Sequence, residues 1–385
     1  MRVLVLGGDG YLGWPTAMRL AARGHTVLAA DNFLRRRLAA STRSLPLVAM
    51  PDLCERAKIF EAVTGHSIAV AIGDCANREF LDARIQEFGP DAVVHYAEQP
   101  SAPYSMMGRE EARLTLENNT GTTFNLIWSI LEHAPGCHIV KLGTMGEYGT
   151  PAIEIEEGWL EIEHKGRRDR FLFPRQGASL YHTTKIIDTD LLWFYVRHYG
   201  LRVTDLMQGP VYGMMTPETV ADRRLATHFA YDDIFGTVLN RFLVQAVAGI
   251  PLSVYGRGGQ TRGFLNIQDT LQCVELALGN APAAGELRIY NQFTECFTVG
   301  DLAERVRSAA ARMGMEVSIA SVANPRIEQE QHFYQARHDA LLDLGLEPRL
   351  LTEECLVSMI EGVAEHRAAI DVRQIMPRVR WRRDD

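Results

Sequence analysis

An α/β fold, with a Rossmann-type doubly wound parallel sheet and a smaller C-terminal substrate-binding domain, is predicted by three observations. Strand and helix patterns alternate as far as about residue 210, the first strand runs straight into a glycine turn that opens a helix, and the pattern turns irregular after about residue 216. Alternation of this kind buries a parallel sheet between two helical layers.

The elements follow in order. Met1 to Leu6 is a short apolar strand, and Gly7-Gly8-Asp9-Gly10-Tyr11-Leu12-Gly13 follows it and opens a helix running to about Arg23. Gly7 permits the tight turn, Gly10 lets backbone approach a pyrophosphate, and Gly13 lets helix and strand pack closely, while the helix N-terminus supplies positive potential. Tyr11 and Leu12 lie within this cofactor turn. A second strand, His25 to Ala30, ends at Asp31, about where an acidic side chain holds the ribose hydroxyls of an adenosine. That favours NAD over NADP, with Asn32 and Arg35 continuing the same wall. The triplet Arg35-Arg36-Arg37 would suit a 2′-phosphate, but Asp31 repels one. An insertion over about 34–66 carries no assigned chemistry beyond Arg35. Further strands are expected at Ile68–Ile72, Ala92–His95, His138–Lys141 and Arg202–Leu206. Helices are expected near Thr237–Ala248, Asp269–Leu278 and Val299–Met313. The division is 1–215 for the nucleotide domain and 216–385 mainly for the substrate domain, with the chain crossing between them.

Tyr181-His182-Thr183-Thr184-Lys185 carries the chemistry. Tyr181 and Lys185 at i and i+4 share a helix face, so the ammonium favours phenolate and lowers a phenol pKa of about 10. Such a Tyr takes the proton of a sugar hydroxyl while a nicotinamide takes the hydride from the same carbon, and Thr144 orients that hydroxyl. The chemistry is alcohol to ketone, and Tyr181 and Lys185 belong to both the catalytic and the cofactor sets. His182 follows directly, about 100° around the helix. Glu147 and His182 are the titratable groups flanking the Thr and the Tyr, and Met145 stands beside them.

Composition sets the limits. With 385 residues, 46% hydrophobic and 23% charged, the chain has ordinary globular chemistry. A net charge of −8 argues against nucleic acid, and the basic tail from Arg378 to Arg383 is short and abuts two Asp. The six cysteines show neither paired nor metal-ligand spacing, which predicts reduced thiols in the cytoplasm and no metal site. No apolar run is long enough to span a bilayer, and no signal peptide is expected.

Three stretches make the likeness specific: Gly143-Thr144-Met145-Gly146-Glu147-Tyr148-Gly149, Glu98-Gln99-Pro100-Ser101-Ala102-Pro103 and Gly258-Gly259-Gln260-Thr261-Arg262-Gly263. With them the chain resembles, over nearly its whole length, the UDP-sulfoquinovose synthase family, within the epimerase/dehydratase branch of extended short-chain dehydrogenases. The resemblance implies NAD, UDP-glucose or a related UDP-sugar, sulfite as co-substrate, and a homodimer built on helices near Glu110–Glu132 and Tyr181–Tyr199. It also implies that Gln99, Thr144, Gln208, Gln260, Arg262 and Arg326 contact the substrate. Loss of the C5 proton and the C6 hydroxyl needs one base and one acid, for which Glu147 and His182 are the candidates. Glu147 would otherwise cap a loop, and His182 would otherwise position sulfite or pack structurally. Asn119 resembles the family's cofactor-side Asn, and Gly73-Asp74 its adenine-contacting pair. The chain departs from the pattern at Pro100, which replaces an Arg, and at Met207, which replaces an amide expected at the sugar. A 4-epimerase or a 4,6-dehydratase would use the same Thr144, Tyr181 and Lys185. A non-catalytic NAD-binding protein would keep the glycines without those three.

Overall fold

The computed structural model describes residues 1–326 and 333–381; Arg382 and Arg383 of the basic tail lie outside them. The first half runs β1 (Arg2–Leu6), α1 (Gly13–Ala22), β2 (Thr26–Asp31), α2 (Leu34–Ser41), α3 (Leu53–Thr64), β3 (Ala69–Ile72), α4 (Arg78–Phe88), β4 (Ala92–His95), α5 (Ala102–Ser105), α6 (Arg109–His133) and β5 (His138–Thr144). A hairpin, β6 (Trp159–His164) and β7 (Arg167–Leu172), precedes α7 (Leu180–Tyr199), β8 (Arg202–Gln208) and β9 (Val211–Tyr212). The remainder comprises α8 (Val238–Ala248), β10 (Leu252–Tyr255), β11 (Thr261–Asn266), α9 (Ile267–Gly279), β12 (Glu286–Gln292), β13 (Glu295–Thr298), α10 (Val299–Arg312), β14 (Ile319–Val322), α11 (Asp339–Asp343) and α12 (Glu353–Ala364).

Seven strands form one parallel sheet in the order β12-β8-β5-β4-β1-β2-β3, so the chain winds outward from β1 in both directions. Its cores follow from strand alternation. Leu4 and Leu6 of β1 pack with Leu81, Ile127 and Val196 on one side, while Val3 and Val5 pack with Trp14, Phe60 and Val274 on the other. Both faces of the sheet are therefore covered, as a parallel sheet requires. The outermost strand β12 comes from beyond residue 280 and pairs along its whole length with β8, from Glu286↔Arg202 to Gln292↔Gln208. That edge was not anticipated from the sequence, and neither was the exposed β6–β7 hairpin. A separate core is built by Phe242, Leu302, Val306 and Ile360 of α8, α10 and α12 against the small sheets β10-β14 and β13-β11-β9.

The insertion forms α2 and α3, and it holds the glycine turn. Asp9 is buried between the Arg36 and Arg56 guanidiniums at 2.7 and 2.6 Å, with His228 Nε2 at 3.3 Å. Burial opposes the charge of Asp9, but hydrogen bonds from His228 and Arg36 and the charge of Arg56 hold its carboxyl well below the usual range. Among the described residues no helix is long and apolar enough to cross a membrane.

Candidate active site

A cavity of about 520 Å³ runs along the C-terminal ends of β1, β2, β3, β4 and β5, where ligands of open α/β sheets bind. Its first wall is backbone. Gly7 has a positive φ of 84°, and a Cβ there would sit 2.8 Å from the Tyr96 carbonyl carbon. A Cβ on Gly13 would sit 2.0 Å from the Gly7 oxygen, so the turn closes only with glycine at both places. The helix α1 that follows has Leu12 as its N-cap, with no side-chain hydrogen bond capping it, which leaves the positive end open to an anion. Tyr11 spans the cavity floor by donating its hydroxyl to the Gly213 carbonyl at 2.7 Å.

Asp31 ends β2 in this wall, accepting the Asp9 and Phe33 amides, and burial with the Asp9 charge pushes its carboxyl up to about 6. Asn32 caps the bend by accepting the Leu34 amide at 2.8 Å. Gly73 and Asp74 border the cavity from the end of β3. Arg35 does too; its guanidinium carbon lies 3.5 Å over the Phe235 ring and its buried Nη1 has no hydrogen-bond partner. An uncapped helix end, a buried carboxylate and an unsatisfied guanidinium fit the phosphates and ribose of a dinucleotide. Asn119, expected here, does not reach the cavity. It is fully buried, bonding the Gln99 backbone and Thr184, while Asn118 and Thr122 of α6 line the wall instead.

The reacting wall joins the end of β5 to the first turn of α7. Thr144 is the last residue of β5, and Ser179 caps α7 by accepting the His182 amide, which places Tyr181 one residue inside the helix. Thr144, Met145, Gly146, Tyr181 and His182 all line the cavity. The His182 ring lies 5.3 Å from that of Tyr181, and its Nε2 would be 2.3 Å from a Cβ on Gly146. Glycine after Met145 is thus what makes room for the imidazole. Burial, then the charges of Arg326 and Arg262, push His182 down to about 3, so it is a neutral ring at physiological pH.

Four expectations are corrected here. Glu147 is fully buried and faces away from the cavity: it bonds the Thr144 amide and Lys141 Nζ, with Arg175 3.7 Å away and Thr189 on its other oxygen. Its place is in a charge cluster with Asp205, where Lys141 lies 3.3 Å from each carboxylate. Lys185 does not line the cavity either; its Nζ is 2.7 Å from Glu98 and donates to the Leu142 carbonyl. The phenol of Tyr181 is consequently raised, by burial first and then by the Glu98 and Glu147 charges, where the Tyr–Lys spacing alone predicted a lowered value. Met207 is a core residue beneath Gly143, so its replacement of an amide leaves the cavity wall unchanged.

The far wall takes residues from many segments. Gln208, Arg262 and Arg326 line it, joined by Tyr334 and Trp381, which sequence patterns did not single out. Gln99 also borders the cavity, but its amide donates to the Ser101 carbonyl and to the Thr115 hydroxyl of α6. Gln260 is off the cavity, turned toward the Tyr255 carbonyl. Pro100 stands at the rim.

Fold and site together define a dinucleotide-dependent enzyme of the extended short-chain dehydrogenase type, with Thr144 and Tyr181 facing the cofactor cleft. The sequence matches the NAD dependent epimerase/dehydratase family over residues 3–291. It is 46% identical over 382 residues to the chloroplastic UDP-sulfoquinovose synthase of Spinacia oleracea, covering 99% of this chain and 79% of that one. It is 43% identical over 386 residues to the UDP-sulfoquinovose synthase of Sulfolobus acidocaldarius, covering 100% and 98%. The chain belongs to the NAD dependent epimerase/dehydratase family and, within it, to the UDP-sulfoquinovose synthase group. The fold is shared with the UDP-glucose 4-epimerase of Bifidobacterium longum in complex with NAD⁺ and UDP, at a TM-score of 0.71 and 18% identity over 96% of this chain and 100% of that one.

Proposed function

We propose that this chain makes UDP-sulfoquinovose from UDP-glucose and sulfite, with NAD resident and recycled in each turnover. The supporting observation is the convergence of Thr144, Tyr181 and His182 on the cavity that also holds the glycine turn and Asp31, in a chain 46% identical to such a synthase over 99% of its length.

NAD held along Gly7, Gly10, Gly13 and Asp31 would supply the hydride acceptor for C4 of the glucose and the donor that restores it. Tyr181 accepts the proton of the C4 hydroxyl, which Thr144 orients. The resulting ketone acidifies the C5 proton; loss of that proton and of the C6 hydroxyl, as water, leaves a 4-keto-5-ene. Sulfite donates its sulfur lone pair to C6, C5 regains a proton, and the returned hydride with a proton from Tyr181 restores the C4 alcohol. Glu147 is withdrawn from this work by its burial against Lys141. His182, neutral and in the wall, is assigned the C5 proton. Arg262 and Arg326 hold the diphosphate, a task suited to a guanidinium, and Gln208 a sugar or phosphate oxygen. Their charges also make the wall beside His182 electropositive, which supplies attraction for sulfite where Pro100 carries none.

The working form is a homodimer in the cytoplasm. Helices α6 and α7 pack side by side and carry Leu116, Phe124, Phe194 and Tyr199 exposed on their outer faces, a surface suited to a second copy. The division at residue 215 is retained as nucleotide half and substrate half, with β12 crossing back.

Mass spectrometry of the sugar nucleotide formed from UDP-glucose and NAD, with and without sulfite, tests this reading. A sulfonated UDP-hexose formed only with sulfite is the expected product. An isomerised or dehydrated sugar indifferent to sulfite would move the chain to a 4-epimerase or 4,6-dehydratase.

A further inference from the structure

Glu98 has no assigned role, yet it lines the same cavity as Thr144 and Tyr181. It follows β4 in a bend closed by its amide donating to the Tyr96 carbonyl at 2.7 Å, and it borders the cavity between Ala97 and Gln99. Its Oε1 lies 2.7 Å from Lys185 Nζ, and both side chains are only 3% exposed. The other Glu98 oxygen is buried without a hydrogen-bond partner. Glu147 has cations of its own in Lys141 and Arg175, so Glu98 is the carboxylate that matches Lys185.

We propose that Glu98 is a positioning residue of the hydride-transfer couple: it holds the Lys185 ammonium in place and offsets its charge beside Tyr181. The inference rests on the reading of Tyr181 as the base. An unpaired ammonium one helical turn from a phenol would favour phenolate, but a carboxylate at contact distance cancels most of that field and adds a negative charge where the phenolate must form. Tyr181 then stays protonated until another positive charge enters the cavity, and the base exists only in the loaded enzyme.

The charged and titratable groups around the couple come from four elements. Helix α7 supplies His182 and Asp188 beside Tyr181 and Lys185, strand β5 supplies Lys141, the turn after it Glu147, and strand β4 supplies His95, whose Nε2 is 3.5 Å from Glu98 Oε1. Burial opposes the ammonium of Lys185, yet Glu98 and then Asp188 outweigh it and hold Lys185 above its ordinary value. Burial, then the lysine charges, push His95 down to about 4 against the pull of Glu98, so it brings no positive charge of its own at neutral pH.

The test is an NMR titration of protein labelled with ¹³Cζ-tyrosine and free of added cofactor, with the Tyr181 signal identified by its loss in Tyr181→Phe. In the native protein Tyr181 is expected to remain a phenol to about pH 10 or beyond; in Glu98→Gln it should ionise about one pH unit lower or more. The acid limb of the pH–rate profile for sugar oxidation should move the same way, an effect of about tenfold on rate at a fixed pH on that limb. A Glu98→Gln protein that is merely slower, with titration and limb unmoved, overturns the proposal. Should Glu98→Gln fail to fold, the native protein still decides: phenolate at Tyr181 below about pH 9 without cofactor overturns it. Retained turnover in Tyr181→Phe would break the base assignment itself, whereas an unmoved titration defeats the role of Glu98 with that assignment intact.

Discussion

The two ends of the cavity are built in opposite ways. At the nucleotide end Gly7, Gly10, Gly13, Asp31 and Gly73 all come from the first 73 residues, and backbone bonds join them, Gly7 and Gly8 to the Ala30 carbonyl and Gly73 to that of Asp31. At the sugar end Gln208, Arg262, Arg326, Tyr334 and Trp381 come from separate loops and strand ends. Backbone fixed by glycine geometry gives the first end one shape, whereas side chains from scattered segments let the second be altered piece by piece. Substrate choice in such a fold can therefore change without disturbing hydride transfer.

That contrast can be broken at the junction first. Tyr181→Phe should lower turnover by about 10²–10⁴-fold while leaving NAD and UDP-sugar affinities intact, as steady-state rates and calorimetric titrations would show. An equal loss of binding would mean the two ends are not separable there. Lys141→Met strips the cation from between Glu147 and Asp205 beneath the same wall; it should cost about 3–5 kcal/mol of stability, read from the urea midpoint.

Two smaller effects separate the ends. Arg262→Ala should raise KM for the UDP-sugar by about 10–100-fold, the value of a hydrogen bond to a charged group, with NAD affinity unchanged in fluorescence titrations. Acid should weaken binding at the nucleotide end. Burial and the Asp9 charge push the Asp31 carboxyl up to about 6, above its ordinary 3.8, and only the ionised form accepts two ribose hydroxyls. NAD affinity is thus fully present above that value and falls as pH drops through it, by about tenfold at one unit below. A flat affinity from pH 7.5 to about 5 would show that Asp31 does not grip the ribose.

Legibility in the sequence divides along the same line. The strand, glycine turn and Asp31 were readable because spacing and conformation are local, and Tyr181 and His182 because neighbours in one helix turn stay together; Thr144, on another element, was legible through its own motif, Gly143-Thr144-Met145-Gly146-Glu147. Glu147 was misplaced because spacing from Thr144 says nothing about which way a carboxylate turns, and here Lys141, itself inside an apolar strand, draws it inward. Glu98 was passed over because its partner lies 87 positions away, a pairing that exists only because the fold brings the bend after β4 against Lys185 of α7. Asp9, inside the glycine turn, went unremarked for the same reason, since Arg36, Arg56 and His228 reach it from α2, α3 and the far loop.

The late arrival of β12 bears on how the molecule comes into being. Strand β8 pairs with β5 on one side and waits for residues 286–292 on the other. During synthesis a ribosome that has made the whole of the nucleotide-binding segment through residue 215 still holds a sheet with an open edge, able to pair with a neighbouring nascent chain. Completion of that sheet is set by translation of about 80 further residues, so truncation before β12 should yield aggregate rather than a small folded domain.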